Sequence, residues 1–160
     1  SSLMSLLQTY NGTSGYLNPL TGEAQVNDKI PKTSYPTTVC HEMAHQIGFA
    51  AENEANFIGY LATTSHPDDY FKLAGHITAL KYLVNELYIR DPELYASTLS
   101  LLNIGILKNL KASSEFQKKY ENPFEPIFKK SYSAYLKVNK QKGGIKSYNY
   151  MVDLLIHYHS

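Results

Sequence analysis

Hydrophobic and polar positions divide the chain into an irregular N-terminal part and a long helical remainder. Residues 11–36 are rich in turn-forming residues, and only 22–27 and, more weakly, 14–17 are candidates for short extended segments. From about residue 37 onward, apolar residues recur at intervals of three and four, which is typical of helices that bury one face. This pattern predicts a series of consecutive helices and a mainly α (α+β) fold.

Proline and glycine mark the predicted helix boundaries, because Pro is favoured in the first turn of a helix and Gly just past its end. The first helix is predicted from about Pro36 to Ile47, ending at Gly48. The remaining predicted helices cover about 51–64, 67–89, 92–110, a short segment capped by Ser113 or Ser114, 122–138, and a last segment that follows Gly143-Gly144 and ends in HYHS.

Length and composition favour one domain. A chain of 160 residues with 43% hydrophobic side chains buries one sizeable core, so we expect a single domain over 1–160, with loop and short strands over 1–36 and helices over 37–160. The net charge is +1 and no basic block is present, which argues against a nucleic-acid partner. The single cysteine, Cys40, has no partner for an internal disulfide, so we expect packing to stabilise the fold, with a metal as an additional source of stability.

The stretch from Cys40 to Tyr60 reads CHEMAHQIGFAAENEANFIGY and contains an HExxH sequence. Because a helix turns once every 3.6 residues, His41 and His45 lie about 40° apart on one face, where two imidazoles can reach a single ion. Glu42 projects to the side of that ion and is better placed to hold a water than to bind the metal. The residues therefore predict a metal site, although two histidines that merely pack on a helix remain an alternative.

A third ligand is expected from the next helix, which carries Glu52 and Glu54. Measured around that helix, Ala55 and Gly59 fall within about 60° of Glu52, whereas Glu54 points about 200° away. The small residues on the Glu52 face would let this helix approach the histidine helix closely, so we favour Glu52 over Glu54. Gly48 would reverse the chain between the two helices.

Two further residues near the motif are candidates for supporting roles. Asn56 lies one turn after Glu52, where its side-chain oxygen would accept a hydrogen bond from a ligand histidine and fix its tautomer. An ordinary polar helix position explains Asn56 equally well. Cys40 projects about 100° from His41, so we expect a buried small hydrophobic residue rather than a ligand.

The pattern of His41, Glu42, His45, Glu52 and Asn56 resembles the zinc metallopeptidases of the gluzincin kind. The wider run HEMAHQIGFAAENEANFIGY, with NPLTGEAQVN before it and GIKSYNYMVDLL near the end, resembles the uncharacterised bacterial domain-of-unknown-function family 3810. This likeness covers most of the chain and implies a zincin-like helical domain.

The sequence departs from the gluzincin pattern in two places. The interval from His45 to Glu52 is shorter than in most gluzincins, and Asn56 stands where an aspartate is usual. An amide orients an imidazole but does not raise its basicity as a carboxylate would. The choice of Glu52 therefore rests on helix geometry more than on the resemblance.

These residues predict a hydrolase: a zinc metallopeptidase with Zn²⁺ held by His41, His45 and Glu52, Glu42 as general base, and a peptide or protein as substrate. Tyr148, His76 and Tyr60 are candidates for stabilising the oxyanion, and the resemblance in the KSYNY segment favours Tyr148. The segment TGEAQVN at 21–27 is either an edge strand that pairs with an extended peptide or a surface hairpin. A non-catalytic helical binding module with a structural or vestigial zinc site, or a metal-free helical scaffold, are the competing classes.

Membrane attachment is expected only from the resemblance. No run of about 18 apolar residues and no signal-peptide pattern occurs, so we expect no membrane span in this chain. The chain begins with Ser inside an apolar stretch, which suggests a piece of something longer. The family resembles membrane-anchored proteins with apolar helices ahead of this domain, which implies that the chain is the soluble domain of a bacterial membrane protein.

Overall fold

A computed structural model describes residues 14–17, 23–119 and 148–160 of the chain. The described part is mainly helical, with one short antiparallel hairpin. The prediction of a mainly α fold is therefore confirmed. In chain order, its elements are β1 (Gly15–Leu17), β2 (Ala24–Val26), a 3-10 helix (Lys32–Ser34), α1 (Tyr35–Gln46), α2 (Glu52–Thr64), α3 (Asp69–Arg90), α4 (Pro92–Leu101), α5 (Ile104–Lys119) and α6 (Tyr148–His159).

The two predicted extended segments form the hairpin. Gly15 pairs with Val26 and Leu17 with Ala24, and the ladder continues where the Asn27 N–H donates to the Ser14 carbonyl at 2.9 Å. Val26 and Asn27 are buried, and both strands pack on α1. The hairpin therefore lies against the helix that carries the HExxH sequence.

The first three predicted helices lie within about two residues of α1, α2 and α3. The single helix predicted over about 92–110 is wrong, because two helices cover this range. The chain breaks after α4 because Leu102 is extended, and the Asn103 side-chain oxygen then accepts a hydrogen bond from the Gly105 N–H at 2.7 Å. Such an amide cap starts a new helix.

The predicted cap at Ser113 or Ser114 is also wrong, since α5 continues through both serines to Lys119. The helix predicted over 122–138 lies outside the described residues.

The core is built where α2, α3 and α6 meet. Its buried residues are Tyr60, Ala79, Met151 and Leu155. The Tyr60 hydroxyl shares a 2.7 Å hydrogen bond with His159 Nε2, which links α2 to the end of α6. The C-terminal helix therefore closes the core on the two central helices.

No helix in the described part of the chain combines the length and the apolar character needed to cross a membrane. The prediction of one domain over 1–160 stays a prediction.

Lys81 on α3 is a partly buried cation. Its Nζ donates to the Ser34 hydroxyl at 2.9 Å, and burial lowers the pKa of the ammonium from 10.5 to about 8. Because the unfolded chain then holds this proton to higher pH than the folded chain, the free energy of unfolding should rise as the pH increases from about 8 towards 10.5. The full effect of this one group is about 3 kcal/mol, at about 1.4 kcal/mol per pKa unit.

A Lys81→Met variant should lose that rise, and it should be more stable than the parent at pH 7 because no charge is buried. Denaturant unfolding at several pH values measures both effects. Lys108→Met removes an exposed lysine of α5 and should leave the pH dependence as it is. An equal rise in the Lys81→Met chain would show that Lys81 does not cause it.

Candidate metal centre

The HExxH sequence lies in the second half of α1, and the helix turns its two histidines towards one point. His41 Nε2 and His45 Nε2 are 3.1 Å apart, and the two rings meet edge to face with centroids 4.6 Å apart. One helical turn separates the residues, so their shared direction follows from the helix period. Both imidazoles therefore direct Nε2 towards the same point.

Gly48 turns the chain back after α1. Its φ is +109°, a conformation that residues with a Cβ rarely adopt, and its N–H donates to the His45 carbonyl at 3.1 Å. The Phe49 N–H donates to the Ala44 carbonyl at 3.0 Å, which completes the helix end. The predicted reversal at this glycine is confirmed, and it places the start of α2 beside the histidines.

Glu52 is the first residue of α2, and its carboxylate faces both imidazoles. Its Oε2 lies 3.4 Å from His41 Nε2, and its Oε1 lies 3.6 Å from His45 Nε2. Glu54 is exposed and does not belong to this cluster, which consists of His41, His45 and Glu52. The structure thus brings together the three residues that the sequence suggested as ligands.

The close approach of the two helices depends on small side chains. Ala55 is fully buried, and a Cβ added to Gly59 would lie 3.0 Å from the Thr37 carbonyl oxygen and 3.3 Å from the His41 amide nitrogen. These are backbone atoms of α1, which cannot rotate away as a side-chain end would. Gly59 therefore sets the distance between the helix with the histidines and the helix with Glu52.

Replacing Gly59 with valine should force α1 and α2 apart. Overfilling a packed core costs about 1–3 kcal/mol, and here the displacement also separates Glu52 from the imidazoles. We expect a lower melting temperature together with weaker zinc binding, measured by thermal unfolding and by competition with a chelator. Gly105→Val on α5 is the matched control, because the nearest atom to its added Cβ is the Asn103 side-chain oxygen, 3.2 Å away. Unchanged zinc affinity in Gly59→Val would show that zinc binding does not depend on the spacing of α1 and α2.

The three side chains fit a zinc ion. Ligand atoms at about 2.0–2.1 Å from a tetrahedral zinc lie about 3.3 Å from one another. The separations of 3.1, 3.4 and 3.6 Å among the two Nε2 atoms and the carboxylate oxygens bracket that value. Two imidazoles and one carboxylate are also donors that zinc accepts readily. The site is therefore a suitable zinc centre by both donor type and donor spacing.

The outer nitrogens of the two rings have different surroundings. His45 Nδ1 lies 2.6 Å from the Phe49 carbonyl oxygen. Because a carbonyl only accepts, Nδ1 must carry the hydrogen, and this leaves the lone pair of Nε2 directed into the site. The nearby Glu52 carboxylate raises the pKa of the His45 imidazole, while burial opposes it.

Asn56 does not have the orienting contact that the sequence suggested. His45 Nδ1 is taken by the Phe49 carbonyl, and His41 Nδ1 is buried with no hydrogen-bond partner among the described residues. A backbone carbonyl therefore takes the place expected for the Asn56 side chain. Sequence reasoning missed Phe49 because any residue at that position supplies the same carbonyl group.

Glu42 lies beside the three ligands and is only 6% exposed. Burial raises the pKa of its carboxyl, and the Glu52 carboxylate acts in the same direction, whereas the two histidines oppose them. Glu42 does not belong to the cluster of ligand atoms. It is thus a buried carboxylate next to the candidate metal ligands, and it does not belong to their cluster.

The chain matches a protein family. The family described as Protein of unknown function (DUF3810) matches residues 1–156. The chain belongs to the DUF3810 family. Neither curated proteins nor solved structures give a match. Since the family description states no activity, indications of function in this DUF3810 member come from its own residues.

The oxyanion candidates of this DUF3810 chain are less well defined than its candidate metal ligands. Tyr148 begins α6, but its side chain lies outside the described residues, so its role stays a prediction. Tyr60 is buried in the core and bonded to His159, and His76 is exposed with its ring centroid 6.3 Å from that of Tyr60. Tyr60 is therefore engaged in packing helices.

Cys40 and the segment at 21–27 also have defined places. Cys40 is half-buried, burial raises the pKa of its thiol, and it does not belong to the ligand cluster. Within 21–27, Ala24–Val26 forms β2 and pairs with β1 in the hairpin. Whether a peptide adds to this hairpin stays a prediction.

Proposed function

We propose that the chain is a zinc-dependent metallopeptidase. The observation that supports this most is the arrangement of four side chains. The donor atoms of His41, His45 and Glu52 converge at 3.1–3.6 Å, and the buried Glu42 stands beside them without joining them. Catalytic zinc sites use three protein ligands and leave a position open, whereas structural sites fill all four. A carboxylate next to an incomplete ligand set is what hydrolysis requires.

The donor set also favours zinc over other common divalent ions. Magnesium and calcium prefer oxygen ligands, whereas this site offers two imidazole nitrogens and one carboxylate. When bound there, zinc would polarise a peptide carbonyl and lower the pKa of a water molecule towards about 7. The protein would hold the ion with His41, His45 and Glu52.

Glu42 would act as the general base. Its carboxylate would accept a proton from the attacking water and later pass it to the nitrogen of the leaving amine. Burial against β1 keeps the Glu42 side chain in a fixed environment, so it need not be ordered during the reaction. The Phe49 carbonyl holds the hydrogen on His45 Nδ1 and keeps that ring oriented towards the site.

The substrate would be a peptide or protein that lies extended near the hairpin. The hairpin packs on α1, and extended peptides commonly add to the edge of a sheet through backbone hydrogen bonds. This mode of binding is compatible with many side chains, so it sets the substrate class rather than a cleavage motif.

Hydrolysis of a mixed peptide pool, followed by mass spectrometry, tests the proposal. New termini should appear with the zinc-loaded chain, disappear after chelation and return when zinc is restored. A chain that binds zinc but cleaves no peptide would contradict the proposal and favour a non-catalytic binding module with a structural zinc site.

A further inference from the structure

Strand β1 lies directly against the side chain of Glu42. A Cβ built on Gly15 would overlap Oε1 and Cδ of the Glu42 carboxylate and the adjoining Cγ. Among the described glycines, this is the one whose missing side chain leaves room for Glu42. The hairpin therefore forms one wall of the space in which the Glu42 side chain lies.

Backbone conformation does not explain the glycine. Gly15 is in a strand and pairs with Val26, and the positive φ found among the described glycines belongs to Gly48. Glycine weakens a strand, because it packs nothing and loses more freedom on folding than alanine does. In strands it often marks a close approach by another group, and here that group is Glu42.

The surroundings decide which group would move if a side chain were added. Val26, the partner of Gly15, is buried, and the neighbouring Asn27 is fully buried and bonded to the Ser14 carbonyl. On the other side, Thr37 and Ala44 are buried on α1. Both backbones are thus fixed by packing, and the end of the Glu42 side chain is the part that can be displaced.

We propose that Gly15 is a positioning residue that confines the Glu42 carboxylate beside the metal centre. Because Gly15 has no side chain, β1 packs closely on Glu42 without displacing its carboxylate. The catalytic meaning of this contact rests on the proposed function, in which Glu42 is the general base. The close packing of Gly15 on Glu42 exists whether or not the chain hydrolyses peptides.

A Gly15→Ala variant tests the catalytic part. It should bind zinc as the parent does and keep KM, while kcat falls about 10- to 100-fold because the base is misplaced. Gly105→Ala, on α5, should leave kcat, KM and zinc content unchanged. Unchanged kcat in Gly15→Ala would overturn the proposal.

A melting comparison in two backgrounds tests the contact without reference to activity. Gly15→Ala should lower the melting temperature of the parent chain but not that of a Glu42→Ala chain, in which the obstructing side chain is gone. An equal loss in both backgrounds would show that Gly15 is needed for other packing, and would overturn the proposal. If the zinc-loaded parent hydrolyses no peptide, the proposed function fails, and the melting comparison alone decides whether Gly15 confines Glu42.

Discussion

Replacing Glu42 with glutamine should abolish peptide hydrolysis while zinc stays bound. Glutamine has nearly the same shape as glutamate, so the packing of this buried side chain against β1 is preserved. An amide does not accept the proton that a general base must remove, and loss of such a group lowers kcat by about 10²- to 10⁴-fold. Because Glu42 does not belong to the ligand cluster, the zinc content should not change. Measuring kcat and zinc per chain on the same sample separates the two effects.

Glu54→Gln is the matched control for this variant. It makes the same chemical change to an exposed carboxylate in the first turn of α2, near the site but outside it. Its kcat should equal that of the parent. Retained hydrolysis in Glu42→Gln would exclude Glu42 as the base, and loss of zinc in that variant would indicate that Glu42 binds the metal.

Replacing Glu52 with alanine should greatly weaken zinc binding. The change removes the one carboxylate that faces both imidazoles and leaves two neutral donors. Losing a group that only orients a ligand costs about 10- to 100-fold in metal affinity, and losing a charged ligand should cost more. Zinc at about 1,000 times its dissociation constant stabilises the folded chain by about 4 kcal/mol, so the variant should lose most of this zinc-dependent stabilisation. Thermal unfolding with increasing zinc measures it.

A comparison of alanine variants at Glu52 and Glu54 decides which glutamate is the third metal ligand. Glu54→Ala should keep the affinity of the parent, because this exposed carboxylate does not belong to the cluster. If Glu54→Ala weakened zinc binding more than Glu52→Ala, the third ligand would be Glu54 and the helix geometry would have been misread.

The cluster of His41, His45 and Glu52 could be predicted from the sequence because it depends on local geometry. The spacing of His41 and His45 places both on one helical face, and the same period separates Glu52 from Glu54. Gly48 indicated the reversal between the two helices, and its φ of +109° confirms it. Each of these inferences needed only residues within one helix or one turn.

What the sequence did not show depends on contacts between distant segments or on backbone atoms. The contact between Gly15 and Glu42 exists only after the hairpin packs on α1. The Phe49 carbonyl that orients His45 is common to all residue types. The break after α4 was missed because the Asn103 cap lies within a largely apolar run, LSLLNIGIL, that reads as a continuous helix.

The metal content of the purified, tag-free chain tests the central claim most directly. Elemental analysis should find about one zinc per chain in the parent and none in a His41→Ala variant, whereas His66→Ala, which changes a histidine outside the cluster, should keep it. A parent chain that holds no zinc, even after incubation with the metal, would contradict the account of the site and remove the basis for a zinc-dependent peptidase.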